Sequence, residues 1–175
     1  EILAPLGMKS STLEVGSVPK NKLAVGYRHK PDGTYEEEKP LAHGAFGSMG
    51  GLLTTAEDLG RYVAFQLSAW PPRNEREAGP VLRSSVREMN HLWNPATLSA
   101  EGKAEAQVAG YGYGLRISMN CHFKHVVGHG GGLPGYGSYM AWLPEYGVGI
   151  FAMANLTYAG PAAPISRAWE VLRGT

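Results

Sequence analysis

The densest chemical signal in the chain is Gly128-His129-Gly130-Gly131-Gly132-Leu133-Pro134-Gly135-Tyr136-Gly137. An imidazole gives or takes a proton near neutral pH. Glycines beside it let a substrate lie against bare backbone and leave amide N–H groups free to hold an oxyanion. Spacing alone does not settle the matter, because a histidine in a glycine-rich turn can equally be a polar turn residue, and the chain carries six histidines. Residues 130–135 also match G-x-G-x-x-G. A dinucleotide site needs a helix directly after those glycines, and Pro134, Gly135 and Gly137 forbid one.

Two short matches suggest a nucleophile. Ser17-Val18-Pro19-Lys20 is a literal Ser-x-x-Lys, and Ser118-Met119-Asn120 a literal Ser-x-Asn. Ser17 sits in a Pro/Gly-rich loop leading to a predicted strand, and Ser118 at the end of a predicted strand, and matches this short arise readily by chance. Cys121 is the single cysteine and cannot form a disulfide within the chain or a multi-cysteine zinc site. Sixteen Lys+Arg against 15 Asp+Glu leave a net charge of +1, which gives no electrostatic case for nucleic acid or an acidic membrane. No apolar run is long enough to span a bilayer. With 43% apolar and 18% charged residues over 175 positions, the chain is expected to form one domain with a core.

The elements that position His129 are read from periodicity. Residues 1–4 read as the end of a helix that stops at Pro5, suggesting a piece of a longer protein. Leu23–Arg28 reads as a short strand, Pro31-Asp32-Gly33 as a turn, and Glu36-Glu37-Glu38-Lys39 as a solvated loop. Thr54 with Glu57, and Thr55 with Asp58, are overlapping capping boxes. Leu59, Tyr62, Val63, Leu67 and Trp70 follow at helical spacing, and Pro71-Pro72 ends the run. A second helix is predicted from about Ser85, burying Val86, Met89 and Leu92 and stopped by Asn94-Pro95. Residues 96–110 read as an exposed excursion. Strands are predicted at 111–118, 123–127, 138–143 and 148–154, with a hairpin turn at Pro144–Gly147. A last helix after Pro161 and Pro164 presents Ile165, Ala168, Trp169 and Leu172 on one face. The order predicts an α+β fold.

Residues 128–139 and on to Asn155 resemble the last conserved block of the serine β-lactamase and penicillin-binding-protein superfamily. The resemblance is to the class C β-lactamase-related branch, which includes esterases and D-amino-acid peptidases. In that block the Lys-Thr-Gly of lactamases is often His-x-Gly, here His129-Gly130-Gly131. Pro5-Leu6-Gly7-Met8 resembles the family's helix-ending block, and the run from Gly50 to Leu59 its helix start before the final sheet. The three stretches occur in the family's order.

This resemblance implies an α/β sandwich, with this chain its C-terminal portion: one partial domain over 1–175, with 1–110 the helical and loop side of a cleft. Residues 111–175 would be antiparallel strands, three of them in the final sheet, plus the C-terminal helix. It implies catalytic roles for His129, Gly130 and Gly131, an oxyanion donor in the Gly132 N–H, and substrate-binding positions at Met49 and Gly50. It places the Ser-x-x-Lys nucleophile and the Tyr-x-Asn motif ahead of Pro5, outside this chain. None of the nine tyrosines is followed two residues later by Asn. Near Gly160 and Ala163, where class C lactamases carry Asn and Arg, no side chain can pair with a carboxylate. That favours an esterase or peptidase-like parent. No cofactor or metal is implied. The expected partners are a small-molecule or peptide substrate and the N-terminal segment of the same protein or a homo-oligomer partner, because residues 148–154 would lie at an open sheet edge. The competing readings are a non-catalytic peptide-binding module and a free-standing hydrolase using Ser17. Compartment and substrate stay open.

Overall fold

The computed structural model describes residues 1–39, 41, 44–77, 79–99 and 106–174. In chain order it contains strands β1 (Tyr27–His29) and β2 (Tyr35–Glu37), then helices α1 (Gly47–Gly50), α2 (Ala56–Leu67) and α3 (Arg83–Met89). Strands β3 (Asn94–Ser99), β4 (Gln107–Tyr111), β5 (Arg116–Asn120), β6 (Val126–Leu133), β7 (Tyr136–Leu143) and β8 (Val148–Ala154) follow, and helix α4 (Ala162–Arg173) closes the chain. Strands β3 to β8 form one six-stranded antiparallel meander in sequence order. The fold is thus the expected α+β sandwich, with helices on a single antiparallel sheet.

Alternation along the sheet builds two cores. Val127, Met140, Trp142 and Phe151 pack with Val63 and Leu67 of α2 on one face. Val126, Tyr139, Ala141, Leu143, Ile150 and Ala152 pack with Ile165 and Trp169 of α4 on the other. Successive strand residues point to opposite faces, so a near-continuous apolar run is what a sheet covered on both sides requires. Leu143 is fully buried, and burying such a side chain contributes about 1.5–3 kcal/mol.

Several expectations are corrected. The first residues form hydrogen-bonded turns, with Gly7 N donating to Ala4 O at 3.0 Å, rather than a helix end. Strand β1 begins at Tyr27, four residues after the predicted start at Leu23, and Glu36 and Glu37 lie in β2 rather than in a loop. Glu38 is no solvated charge either. Arg28 donates to both of its carboxylate oxygens at 2.8 Å, and this pairing holds the carboxyl below its ordinary pKa. Helix α2 is capped as predicted by Thr55, whose Oγ1 accepts from Asp58 N at 3.2 Å. It ends at Leu67, so Trp70 lies past it. Helix α3 starts at Arg83, two residues early, because Glu77 Oε2 accepts the Arg83 N–H at 3.2 Å and satisfies its first turn. On α4, Ile165 and Trp169 make the sheet contact while Leu172 stays exposed.

The largest correction is in the sheet. Residues 94–99 and 107–111 are strands β3 and β4, so the sheet has six strands and begins before residue 111. Polar and small side chains conceal them, and Pro95 is tolerated because β3 is an edge strand with a register shift at 95–97. Residues 100–105, in the middle of the predicted excursion, and Pro40, taken as loop punctuation, lie outside the described residues. At the far end β8 is the other edge, with β7 its one strand neighbour in the sheet among the described residues.

A buried polar network ties the helices to this sheet. Asn90, fully buried, donates Nδ2–H to Gln66 Oε1 (3.1 Å) and Val86 O (2.6 Å) and accepts from Trp142 Nε1 at 3.0 Å. His125 Nε2 lies 2.8 Å from Asn90 O, and burial lowers its pKa. Replacing Asn90 with Leu strands the Trp142 indole N–H and the Gln66 carbonyl. The expected loss is about 2 kcal/mol or more, the scale of an unsatisfied buried polar group, measured by urea unfolding. An unchanged midpoint would show that the network is slack.

Candidate active site

His129 lies on β6, not in a turn. The strand runs from Val126 through the glycines to Leu133, and Pro134-Gly135 makes the turn into β7, with Gly135 at φ 87°. That positive φ is the conformation a type II turn demands at its third residue, which Gly supplies without strain. A strand after the glycines also disposes of the dinucleotide reading. Register sets the site. His129 faces Met140 across β7, while β5 pairs with β6 only as far as Gly128. From His129 to Leu133 the side of β6 away from β7 therefore has no strand partner among the described residues. In an antiparallel ladder alternate residues turn their N–H and C=O away from a given neighbour. Backbone polar groups of the glycine run thus face an open side.

At two of these positions an added Cβ would have to displace a neighbouring side chain. A Cβ on Gly131 would come within 2.5 Å of Ser138 Oγ, and one on Gly132 within 2.8 Å of Tyr158 Cδ1. Tyr158 has φ 51°, is exposed, and donates its N–H to Leu133 O and Tyr136 O, so its ring lies over Gly132 at the rim. The loop carrying it is clamped. Asn155 Nδ2 donates to Val25 O at 3.0 Å, and Thr157 Oγ1 accepts from Gly135 N at 2.8 Å. Hairpin β1–β2 thus holds the far end of β8 against the turn that follows Gly132.

The structure brings together four of the six residues singled out from sequence on β6: His129, Gly130, Gly131 and Gly132. Gly50 joins them, because a Cβ there would lie 3.4 Å from Leu133 Cδ2, at the end of the same strand. Met49 projects into solvent, 78% exposed. The positions near Gly160 and Ala163 carry no carboxylate partner, and nothing lies within 4 Å of a Cβ on Gly160. Two surface hollows, one lined by Tyr27, Tyr35, Asn155 and Leu156 and one by Leu13–Gly16, Gly44, Ala45, Gly47 and Ser48, do not include His129.

Both literal nucleophile motifs have structural employment. Ser17 Oγ donates to Glu14 O at 2.7 Å in a short 3-10 turn. Asn120 Oδ1 accepts from His122 N and Phe123 N at 2.9 and 2.8 Å, shaping the turn after β5.

One site residue escaped the sequence. Tyr111 OH lies 2.7 Å from His129 Nε2, with the rings edge to face at 5.9 Å. Eighteen residues separate the two, and only the β4–β5–β6 meander brings them together.

Comparison with known proteins accords with this geometry. Beta-lactamase-like protein 2 of Dictyostelium discoideum is 27% identical over 175 residues, covering 98% of this chain and 29% of that protein. Beta-lactamase-like protein 1 of the same organism is 36% identical over 67 residues, 38% of this chain and 11% of that protein. The octameric penicillin-binding protein homologue of Pyrococcus abyssi superposes with a TM-score of 0.78 at 28% identity, over 99% of this chain and 36% of its own. A class C beta-lactamase shares the fold at TM-score 0.60 and 18% identity, over 90% of this chain and 45% of its own. The chain thus spans less than a third of the length of these curated relatives. The family model described as Beta-lactamase matches residues 1–173, and the chain belongs to that family.

Proposed function

We propose that this chain supplies one wall of the active site of a serine hydrolase that works through an acyl-enzyme on an ester, amide or β-lactam. The nucleophile would come from residues outside these 175. The observation that carries the reading is the placement of His129 and the glycine run at the stretch of β6 that β5 leaves uncovered. His129 would help orient substrate and steady the proton network around the nucleophile, in the place the family gives to Lys. The closing pair Leu133–Tyr136 sets the parity of the ladder, and by that parity Gly132 turns its N–H outward, where it would be one oxyanion donor. Gly130 and Gly131 would keep the substrate's path bare, and Gly50 with Met49 would bound the pocket at the Leu133 end. The helical and loop residues before β3 would form the cleft side, and strands β3 to β8 with α4 the sheet wall. The absence of a carboxylate-pairing side chain at Gly160 and Ala163 supports an ester or peptide substrate over a cephalosporin. The similarity to a D-stereospecific amidohydrolase of Streptomyces agrees in fold, at 21% identity and TM-score 0.65.

The open edge of β8 supports a partner strand there, from the N-terminal segment of the same protein or from a second copy. An octameric relative is consistent with the latter.

The test compares the isolated 175-residue chain with the full-length protein on nitrocefin and p-nitrophenyl esters. The expected result is turnover by the full-length protein and none above background by the chain alone. Saturable hydrolysis by the chain, abolished by Ser17→Ala, would overturn the reading. Silence from both would favour a non-catalytic peptide-binding module.

A further inference from the structure

We propose that Tyr111 is a positioning residue for His129, its hydroxyl donating to Nε2 and so fixing the imidazole proton on Nδ1. The inference rests on the acyl-transfer role of His129 given above. Three observations carry it. The 2.7 Å separation of Tyr111 OH and His129 Nε2 is that of a well-formed hydrogen bond. The edge-to-face ring contact, 5.9 Å between centroids at 72°, restricts the imidazole to one plane. The backbone under Tyr111 is also held on three sides. Its carbonyl accepts from Trp93 N at 3.2 Å, and its register is fixed against Asn94 of β3 and Arg116 of β5. Gly112, next in the chain, passes so close to α3 that a Cβ there would come within 2.5 Å of Met89 O and 2.7 Å of His91 O. A tyrosine that is 38% exposed could give its hydroxyl to water; here a rigid support aims it at the imidazole.

The chemistry follows from the donor inventory. At neutral pH a phenol keeps its proton, so it can donate to a ring nitrogen that lacks one. A neutral imidazole bonded in this way at Nε2 carries its own proton on Nδ1, and the nitrogen free to work at the open side of β6 is then defined. At the open side the neutral ring is then a hydrogen-bond donor through Nδ1–H, and in the protonated ring Nε2–H donates to the phenolic oxygen as the phenol hydrogen turns away, so the ring keeps one orientation in both protonation states. Tyr111 acts through His129 and need not touch substrate.

The test is 15N NMR of His129 in the full-length protein, with Tyr111→Phe beside it and kinetics on the same samples. In the unsubstituted protein Nδ1 should show the pyrrole-type signal and Nε2 the pyridine-type signal. Tyr111→Phe keeps the ring packing and loses the hydroxyl. It should move the proton toward Nε2 and lower kcat about tenfold, the scale of one neutral hydrogen bond, with KM little changed. A protonated Nε2 in the unsubstituted neutral ring would overturn the proposal without any variant. Unchanged ring-nitrogen signals in Tyr111→Phe would also overturn it. If His129→Ala leaves turnover intact, the acyl-transfer reading falls instead, and the nitrogen signals still decide whether Tyr111 sets the tautomer.

Discussion

His129→Ala in the full-length protein is expected to lower the acylation rate about a hundredfold or more, the scale for removing a positioned acid/base group. Thermal stability should change little. The side chain is only half-buried at the end of the sheet, where β5 no longer covers β6, and it is absent from both apolar clusters. Its structural partner is Tyr111, a contact between partly exposed groups, whose loss costs about 1 kcal/mol. Stopped-flow release of p-nitrophenol from an activated ester separates acylation from later steps, and calorimetry gives the midpoint. Full activity in the variant would remove His129 from the mechanism, while loss of folding would make it a structural residue.

Gly137→Ala is expected to be among the most damaging single substitutions. Gly137 lies directly across from Gly132 and Ala154 in the sheet. A Cβ there would fall 1.7 Å from Ala159 O and 2.5 Å from its carbonyl carbon. The obstruction is backbone, and that backbone is clamped by Asn155, Thr157 and hairpin β1–β2. It cannot swing aside as a side-chain tip would. Overpacking at such a contact costs about 3 kcal/mol, and the loop carrying Tyr158 should lose its place over Gly132. Gly160→Ala is the control, since nothing lies within 4 Å of its added methyl and it should be neutral or slightly stabilising. Denaturant midpoints for the two variants give the comparison. Equal midpoints would show that the 155–160 segment yields freely.

Those two contrasting glycines show where the sequence was legible and where it was not. The strand Val148–Ala154, the turn before it and the Thr55 cap were readable because their signals are local: an apolar run, a Pro/Gly turn and a capping hydroxyl. The pair β3–β4 was not. Its partners face each other across residues 94–111 with few large apolar side chains, and their stability comes from the ladder itself. The same holds for the site. His129 announces itself by its glycines, but its position on a strand rather than in a turn depends on pairing with β7. Tyr111 gives no sign in the sequence of its link to His129, because that contact is made by a register two strands wide. The sequence reading runs the helix past Asn90 to Asn94-Pro95, whereas α3 ends at Met89, and only the packing of Trp142 and Gln66 around Asn90 shows it to be a buried hub.

On the proposed reading, the nucleophile lies outside the 175 residues while His129 serves it from within. Mapping a fluorophosphonate label on the full-length protein by peptide mass tests it most directly. The account predicts a single labelled serine beyond this chain, with labelling slowed strongly by His129→Ala. A label on Ser17, Ser118 or any other serine of the chain would contradict it.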